Sequence, residues 1–315
     1  MNKKERILIL GGAGFIGSNL TEALVRNNKY NIRVFDLLKD GFSENLTSLK
    51  GKIEIISGDF LNINDLRKAL KDVDYVFHLI SFTTPGSSVD NLSIELDTNI
   101  KGTINLLQEC VKSRIKKVIY ASSGGSIYGN NKKGICNEED KLDPISPHAI
   151  SKMLIEKYLN YYRLHYGLDY LVLRYSNPYG PKQNILNKQG IVSIFLNLAR
   201  QEKKIQIFGD GDNIRDYIFI EDAVNITKLL FEENTKHRIY NVGSGLGYSI
   251  NEIIEAIEIT LGKKIKTETL PQRDVDVRKI VLNTGRLKEE IEYNLKTDIK
   301  EGVRKTWEWI NSNYN

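Results

Sequence analysis

The stretch GGAGFIG, residues 11–17, is the feature that most constrains the fold of this 315-residue chain. It follows RILIL (6–10), an apolar run typical of a buried strand, and leads into FIGSNLTEALVRN (15–27), whose apolar residues recur at helical spacing. Glycines at 11, 14 and 17 permit a tight turn, a close approach of the main chain to a bound group, and close helix–sheet contact. A strand, a glycine turn and a helix in this order predict an α/β chain built on a parallel sheet.

Short apolar runs continue to alternate with longer amphipathic stretches through the first half of the chain. This alternation predicts a doubly wound parallel sheet of the Rossmann type over residues 1–176, with a later strand near 238–243 returning to it. The pieces become shorter after residue 177, which predicts a smaller α/β lobe over 177–315. The predicted strands are IRVFD (32–36), KIEIIS (52–57), YVFHLI (75–80), KVIYASS (117–123) and YLVLRYS (170–176), and helices are predicted near 64–71, 91–113 and 148–166; SINE (249–252) predicts a capping box at a further helix start.

Composition excludes several classes of protein. The content of 41% hydrophobic and 27% charged residues is that of an ordinary globular protein, and no apolar run approaches the length of a membrane helix. Two cysteines and four scattered histidines provide neither a disulfide framework nor metal-ligand spacing. The net charge of +5 is spread along the chain, which favours small anionic ligands over nucleic acid. We therefore expect a cytoplasmic, metal-free protein.

An acidic residue completes a dinucleotide-binding pattern with the glycines. Asp36 ends the second predicted strand nineteen residues beyond Gly17, where a carboxylate accepts hydrogen bonds from ribose hydroxyls and repels a 2′-phosphate, so NAD is favoured over NADP. Asp59, after the third strand, is placed to reach the adenine amino group. The alternatives are a plain tight turn with a solvated Asp36, and a helix-capping Asp59. The expected cofactor contacts in this part of the chain are Gly11, Gly14, Phe15, Ile16, Gly17, Asp36, Asp59 and Phe60.

Further motifs support a resemblance to a known family. The stretches GDFLN, FHLIS, DTNIKGTINLL, ASSGGSIYG, SPHAISK, LRYSNPYGPKQ and FGDGDNIRDYIFIEDAV follow GGAGFIG in this order. Together they resemble the extended short-chain dehydrogenase/reductase family, in its branch of NAD-dependent nucleotide-sugar epimerases and dehydratases, over nearly the whole chain.

The resemblance implies roles for residues outside the glycine turn. Lys152 would hydrogen-bond the nicotinamide ribose and lower the pKa of the neighbouring acid/base group. Further cofactor contacts would come from Leu79, Ser81, Asn99 and Pro178. The nucleotide-diphosphate sugar would be bound by Asn177, Arg215, Asp276 and Arg278; two guanidinium groups suit a diphosphate because their fork geometry matches phosphate oxygens.

Two positions depart from the family pattern. His148 of SPHAISK stands where the family has its proton-transferring tyrosine, and Gly124 stands where the family has a hydroxyl-bearing residue. Ser126 is the first candidate to replace that hydroxyl, and Ser123 is the second. His148 could be the general base, held neutral by Lys152 and the oxidised cofactor. It could instead mark a protein that binds without efficient proton transfer, or a helix-start residue beside another catalytic tyrosine, such as Tyr128 or Tyr179.

The activity implied by the resemblance is hydride transfer between NAD and carbon 4 of a nucleotide-diphosphate sugar. The product would be a 4-dehydro or 4-epimeric sugar for surface-polysaccharide synthesis. A non-catalytic NAD and nucleotide-sugar binder is the alternative from another class, and a 4,6-dehydratase is disfavoured because GGS (124–126) replaces the acid-bearing triplet. Helices near 91–113 and 148–166 resemble those that pair in family dimers, so we expect a homodimer.

Overall fold

A parallel sheet forms the centre of the protein in the computed structural model, which describes residues 4–38, 43–83, 88, 92–131, 133–186, 190–272 and 277–314. The strands are β1 (Arg6–Leu10), β2 (Asn31–Asp36), β3 (Glu54–Ser57), β4 (Tyr75–His78), β5 (Lys117–Ser123), β6 (Ile135–Cys136), β7 (Asp169–Tyr175), β8 (Asn177–Tyr179), β9 (Ile205–Phe208), β10 (Ile214–Phe219), β11 (Ile239–Val242), β12 (Gly247–Ser249), β13 (Thr267–Leu270) and β14 (Lys279–Leu282). The helices are α1 (Phe15–Val25), α2 (Ile63–Leu70), α3 (Leu92–Ile94), α4 (Lys101–Lys112), α5 (Pro147–Tyr166), α6 (Ile191–Arg200), α7 (Ile220–Glu232), α8 (Ile250–Leu261), α9 (Gly285–Glu290) and α10 (Ile299–Asn313), with a π-helix over Glu95–Ile100 and a 3₁₀ helix over Glu44–Leu49.

The strand order of the seven-stranded sheet is β11-β7-β5-β4-β1-β2-β3. The neighbours β3/β2, β2/β1, β1/β4 and β4/β5 are parallel. Since the order reverses at β1, the predicted doubly wound sheet is confirmed, and the crevice typical of such sheets opens at the carboxyl ends of β1 and β4. Residues on both faces of β1 are buried, which explains the continuous apolar run RILIL.

Local signals define where the helix of the SPHAISK motif begins and ends. The Ser146 hydroxyl accepts a hydrogen bond from the Ala149 amide at 3.3 Å, Pro147 starts α5, and Gly167 ends it in the left-handed region at φ +72°. The capping box predicted for SINE is confirmed at the start of α8. The helix predicted near 91–113 contains a π-helical segment over Glu95–Ile100, which the periodicity did not indicate.

Contacts divide the chain into two compact units. The first comprises Met1–Ser123, Ser146–Leu173 and Thr227–Ile239, and the second comprises Gly124–Ile145, Arg174–Ile226 and Tyr240–Asn315. Segments of the two units therefore alternate along the chain, and β11 joins the seven-stranded sheet beside β7. The second unit contains the sheet β12-β10-β14-β6, with β8 paired to β10, and the parallel pair β13/β9. Among the described helices none is long and apolar enough to cross a lipid bilayer.

Candidate active site

The main chain of the turn after β1 is packed too tightly to accept side chains. A Cβ on Gly17 would lie 2.2 Å from the carbonyl oxygen of Gly11, and one on Gly12 would lie 2.8 Å from a methyl carbon of Val34. Gly14 precedes the first residue of α1, and the helix has no side-chain cap and no acidic residue in its first turn. Its first amide groups therefore keep their hydrogen-bonding capacity at the positive end of the helix dipole. This cradle fits the pyrophosphate of a dinucleotide.

Asp36 lies beside the glycine turn, at the end of β2. Its carboxylate accepts hydrogen bonds from the amides of Ala13 at 3.0 Å and Leu37 at 2.9 Å. Burial raises the pKa of Asp36 above its ordinary value, and the two hydrogen bonds oppose this shift. Leu79 borders the same turn, because a Cβ on Gly11 would lie 3.2 Å from the Leu79 carbonyl carbon. The structure thus brings Asp36, the glycine turn and Leu79 together, as a dinucleotide site requires.

Asp59 and Phe60 follow β3. Asp59 is exposed, and its carboxylate accepts a hydrogen bond of 2.9 Å from the Leu61 amide, so it shapes this turn. The Phe60 ring is buried and stacks on His78 with 5.2 Å between the ring centroids. Contact of these two residues with a cofactor stays a prediction. The same holds for Phe15 and Ile16, which are half-buried in the first turn of α1.

His148 and Lys152 lie one helical turn apart on α5, and both are buried. The Lys152 ammonium donates a hydrogen bond of 2.8 Å to the carbonyl oxygen of Ala121 and lies 4.9 Å from the centre of the Tyr120 ring. The lysine is therefore held in one place by β5, which is the arrangement needed if it is to bind a cofactor hydroxyl and act on the ring of His148.

The electrostatics of the pair leave the imidazole neutral. Burial lowers the pKa of Lys152 to about 8, while Glu95 and Glu156 oppose the shift. Burial, followed by the charge of Lys152, lowers the pKa of His148 to about 4, while Glu95 opposes. At neutral pH the lysine therefore carries its proton and the histidine is an uncharged proton acceptor.

A buried cluster of Thr83, Glu95 and Asn99 surrounds His148 Nδ1. The Thr83 hydroxyl donates to Glu95 and lies 3.4 Å from Nδ1 of His148. The Asn99 amide donates to Glu95 at 2.9 Å and to Thr83 at 3.2 Å, and its oxygen accepts from the Phe82 amide at 3.1 Å. Both hydrogen bonds donated by Asn99, which was expected near the cofactor, therefore go to residues of this cluster.

A cavity of about 10 Å³ lies next to His148 and Lys152, with room for roughly one water molecule. Ser81 borders it and donates a hydrogen bond of 3.0 Å to the Thr83 carbonyl. Glu95, Asn99 and Tyr120 also line it. The structure thus groups four predicted site residues, His148, Lys152, Ser81 and Asn99, and the newly found Glu95 around one small space.

In the second unit, the residue that replaces the expected hydroxyl has no room for a side chain. A Cβ on Gly124 would lie 2.6 Å from Leu282 and 2.9 Å from the carbonyl oxygen of Arg174. A serine or threonine is therefore excluded here. Ser126 is half-buried in the turn that follows, and Ser123 is the last residue of β5 in the first unit. Their catalytic role stays a prediction.

Asn177 and Pro178 lie in β8, which runs parallel to β10. The Asn177 amide donates a hydrogen bond of 2.8 Å to the carbonyl oxygen of Asp216. A Cβ on Gly125 would lie 3.5 Å from the Asn177 side-chain oxygen, so this side chain also borders the turn around residue 125. The predicted contacts of Asn177 with sugar and of Pro178 with nicotinamide stay predictions.

A larger cavity of about 240 Å³ lies within the second unit and contains Arg215. The Asn213 side-chain oxygen is buried with no hydrogen-bond partner in the described part of the chain. A buried polar atom of this kind is costly unless a ligand satisfies it. The other lining residues are mainly apolar or aromatic: Ile191, Phe195, Gln206, Phe208, Tyr217 and Ile250. Aromatic walls with an arginine and an amide suit a nucleotide base and its phosphates.

Arg278 is not among the residues that line this cavity, but its carbonyl oxygen accepts a hydrogen bond of 2.9 Å from the amide of Ile214, between Asn213 and Arg215. The Arg278 guanidinium forms a two-pronged ion pair with Asp210, at 2.8 and 2.9 Å, and both side chains are about half exposed. Asp276, expected near the ribose, lies outside the described residues.

Sequence reasoning missed three residues of these sites. Glu95 had a usable signal, because it stands four residues before Asn99 in a predicted helix and so shares its face. Thr83 and Asn213 had none, since their importance comes from contacts with residues distant in sequence.

Comparison with known proteins supports a dinucleotide site and a nucleotide site in this chain. Residues 7–243 match the NAD dependent epimerase/dehydratase family. The UDP-glucose 4-epimerase of Mycolicibacterium smegmatis is 32% identical over 309 residues, covering 97% of this chain and 98% of that protein.

Solved structures of two further UDP-glucose 4-epimerases have the same fold. The Thermotoga maritima enzyme with UDP-glucose has a TM-score of 0.91 at 34% identity and covers 98% of this chain and 100% of its own. The Thermus thermophilus enzyme with NAD has a TM-score of 0.90 at 30% identity, with 98% and 99% coverage. The chain therefore belongs to the NAD dependent epimerase/dehydratase family, and it is an NAD-dependent enzyme of the nucleotide-sugar epimerase branch.

Proposed function

We propose that the protein is a 4-epimerase of a UDP-linked sugar and that His148 is its general base. Three features of the structure support this proposal: the glycine cradle with Asp36, the neutral His148 beside Lys152, and the cavity with Arg215 and Asn213. UDP is favoured as the nucleotide because the similar enzymes named above act on UDP-glucose. The single observation that carries the catalytic part is the buried His148, held uncharged next to a fixed lysine.

In this proposal Nε2 of His148 takes the proton of the sugar 4-hydroxyl. Bound NAD would supply the acceptor, and on return the donor, of the hydride of carbon 4. His148 would keep the hydroxyl proton meanwhile and give it back to the 4-oxygen, and inversion would require the ketone to turn so that the hydride returns to its other face. Lys152 is held in position by its hydrogen bond to Ala121, and its positive charge lowers the pKa of the His148 ring. The shorter ring would reach the hydroxyl directly or through one water molecule, for which the small cavity has room.

The lowered pKa of His148 suits the return of the proton that an epimerase requires. The imidazolium formed during oxidation readily gives its proton back to the 4-oxygen when the ketone is reduced. A 4-dehydrogenase remains the second candidate, because Gly124 leaves no room for the hydroxyl expected there. We further propose that the product is an activated sugar for surface-polysaccharide synthesis and that the enzyme works in the cytoplasm.

The test is to incubate the NAD-loaded enzyme with UDP-, GDP- and dTDP-sugars and to follow both absorbance in the reduced-nicotinamide band and sugar products. Conversion of a UDP-sugar to its 4-epimer is expected. Net reduction of added NAD would instead establish a dehydrogenase, and no change with any sugar would support a non-catalytic binder. His148→Phe should lower turnover by about 100-fold or more while NAD remains bound; unchanged turnover would exclude His148 as the base.

We also propose a homodimer that pairs through α5. Its large side chains Ile150, Tyr161 and Leu164 are 46%, 44% and 67% exposed and recur at helical spacing. Leu92 and Leu96, in the helical segment before α4, are 61% and 60% exposed. Exposed apolar stripes of this kind are typical of subunit interfaces. Light scattering should give a dimer mass, and Leu164→Glu should give a monomer; a monomeric wild-type protein would refute the proposal.

A further inference from the structure

The buried cluster around His148 determines which ring nitrogen carries a proton. A threonine hydroxyl has one hydrogen, and that of Thr83 is donated to Glu95. Ionised Glu95 has only acceptors, and hydrogen bonds from Thr83, Asn99 and Ser151 outweigh the effect of burial and hold its pKa below its ordinary value. Towards the histidine, both Thr83 and Glu95 can therefore only accept.

The distances place these acceptors at one nitrogen of the ring. Nδ1 of His148 lies 3.4 Å from the Thr83 oxygen and 3.9 Å from a carboxylate oxygen of Glu95. The Asn99 amide occupies one further lone pair of Thr83, at 3.2 Å, which leaves one for the histidine. A neutral ring in this environment carries its hydrogen on Nδ1, where it can donate, and keeps the lone pair on Nε2.

We infer that Glu95 and Thr83 are positioning residues that hold His148 as the Nδ1–H tautomer, so that Nε2 is the atom that accepts the substrate proton. This inference rests on the proposed function of His148 as the base. The arrangement has a second consequence, because proton transfer creates an imidazolium that faces two charged groups. The Lys152 ammonium repels it, and the Glu95 carboxylate at 3.9 Å attracts it. Glu95 thus offsets the penalty that Lys152 imposes at the moment when the proton arrives.

The tautomer can be measured without any turnover. The NAD-loaded protein is labelled with ¹⁵N in its histidine rings, and NMR distinguishes a protonated ring nitrogen from one with a lone pair. The chain has four histidines, so the His148 signals are assigned by their loss in His148→Phe. We expect Nδ1 protonated and Nε2 unprotonated between pH 6 and 8. The opposite tautomer in the wild-type protein would overturn the inference.

Two pairs of variants separate positioning from folding. Thr83→Val removes the hydroxyl and should yield a mixture of tautomers, with kcat lower by about tenfold to a hundredfold and KM little changed, whereas Thr83→Ser should restore both. Glu95→Gln should lower kcat similarly and move the acidic limb of the pH profile to lower pH, and Glu95→Asp should recover part of the loss. Bound NAD and an unchanged melting temperature serve as the check on folding.

The outcomes distinguish this inference from the proposed function. If His148→Phe loses turnover while Thr83→Val and Glu95→Gln keep the wild-type kcat and tautomer, the base is right and the positioning is wrong. If His148→Phe keeps full turnover, the proposed function fails, and the NMR result still decides the tautomer.

Discussion

The ammonium of Lys152 donates a hydrogen bond of 2.8 Å to the main-chain carbonyl of Ala121. This hydrogen bond holds the ammonium against β5. Burial nevertheless lowers the pKa of the lysine to about 8. We expect turnover to decline as the pH rises through about 8, because the lysine then loses the proton with which it binds. Initial rates measured from pH 6 to 10 test this, and Lys152→Met should remove the basic limb while reducing turnover by about 100-fold. A basic limb that persists in Lys152→Met would have another origin.

Acid should destabilise the protein through His148. Its pKa is 6.5 when unfolded and about 4 when folded, so the unfolded state binds more protons between these values. The contribution of neutral His148 to the free energy of unfolding is therefore fully present above pH 6.5. It is lost as the pH decreases towards 4 and amounts to about 3 kcal/mol. Urea titrations at several pH values should show this loss, and His148→Phe should reduce it by a similar amount.

Gly17→Ala should abolish NAD binding. The new Cβ would lie 2.2 Å from the carbonyl oxygen of Gly11, so the turn that cradles the pyrophosphate must shift. Gly167→Ala is the matched control: it forces a left-handed residue at the end of α5, at a cost of about 1 kcal/mol, and leaves the turn intact. Isothermal titration with NAD compares the two, and retained affinity in Gly17→Ala would contradict the pyrophosphate assignment.

Asn213→Leu should raise the free energy of unfolding of the ligand-free protein and weaken nucleotide binding. The Asn213 oxygen is buried without a partner in the described structure, so an apolar side chain of similar size removes an unsatisfied group and stabilises the fold by about 1 kcal/mol. If the oxygen accepts a hydrogen bond from the nucleotide base, UDP should raise the melting temperature of the wild-type protein. The rise should be much smaller in the variant. An equal UDP effect in both proteins would place the base elsewhere.

The ion pair of Arg278 with Asp210 predicts a competition for phosphate. If Arg278 binds the pyrophosphate, it must leave Asp210, so Asp210→Asn should tighten UDP binding by a few-fold, whereas Arg278→Gln should weaken it by about tenfold. Titrations with UDP at low and high salt check both changes. No effect of Arg278→Gln would mean that the pair is only structural.

Local sequence determined the framework of this protein. The glycine turn, Asp36, the strand and helix alternation, and the caps of α5 and α8 all act within a few residues, so their physical effect can be read from the residues themselves. The same reasoning located His148 and Lys152 one turn apart on one helix, and the family resemblance supplied their chemistry.

The tertiary structure decided what surrounds that pair. Thr83 and Glu95 reach His148 from segments 65 and 53 residues away, and a π-helical segment that no periodicity indicates carries Glu95. Gly124 lacks room for a hydroxyl because Leu282 and the carbonyl of Arg174, both distant in sequence, pack against it. Burial and hydrogen bonding depend on which distant segments meet, so the protonation state of His148 and the tautomer inferred for it are properties of the fold, whereas its position on α5 is a property of the sequence.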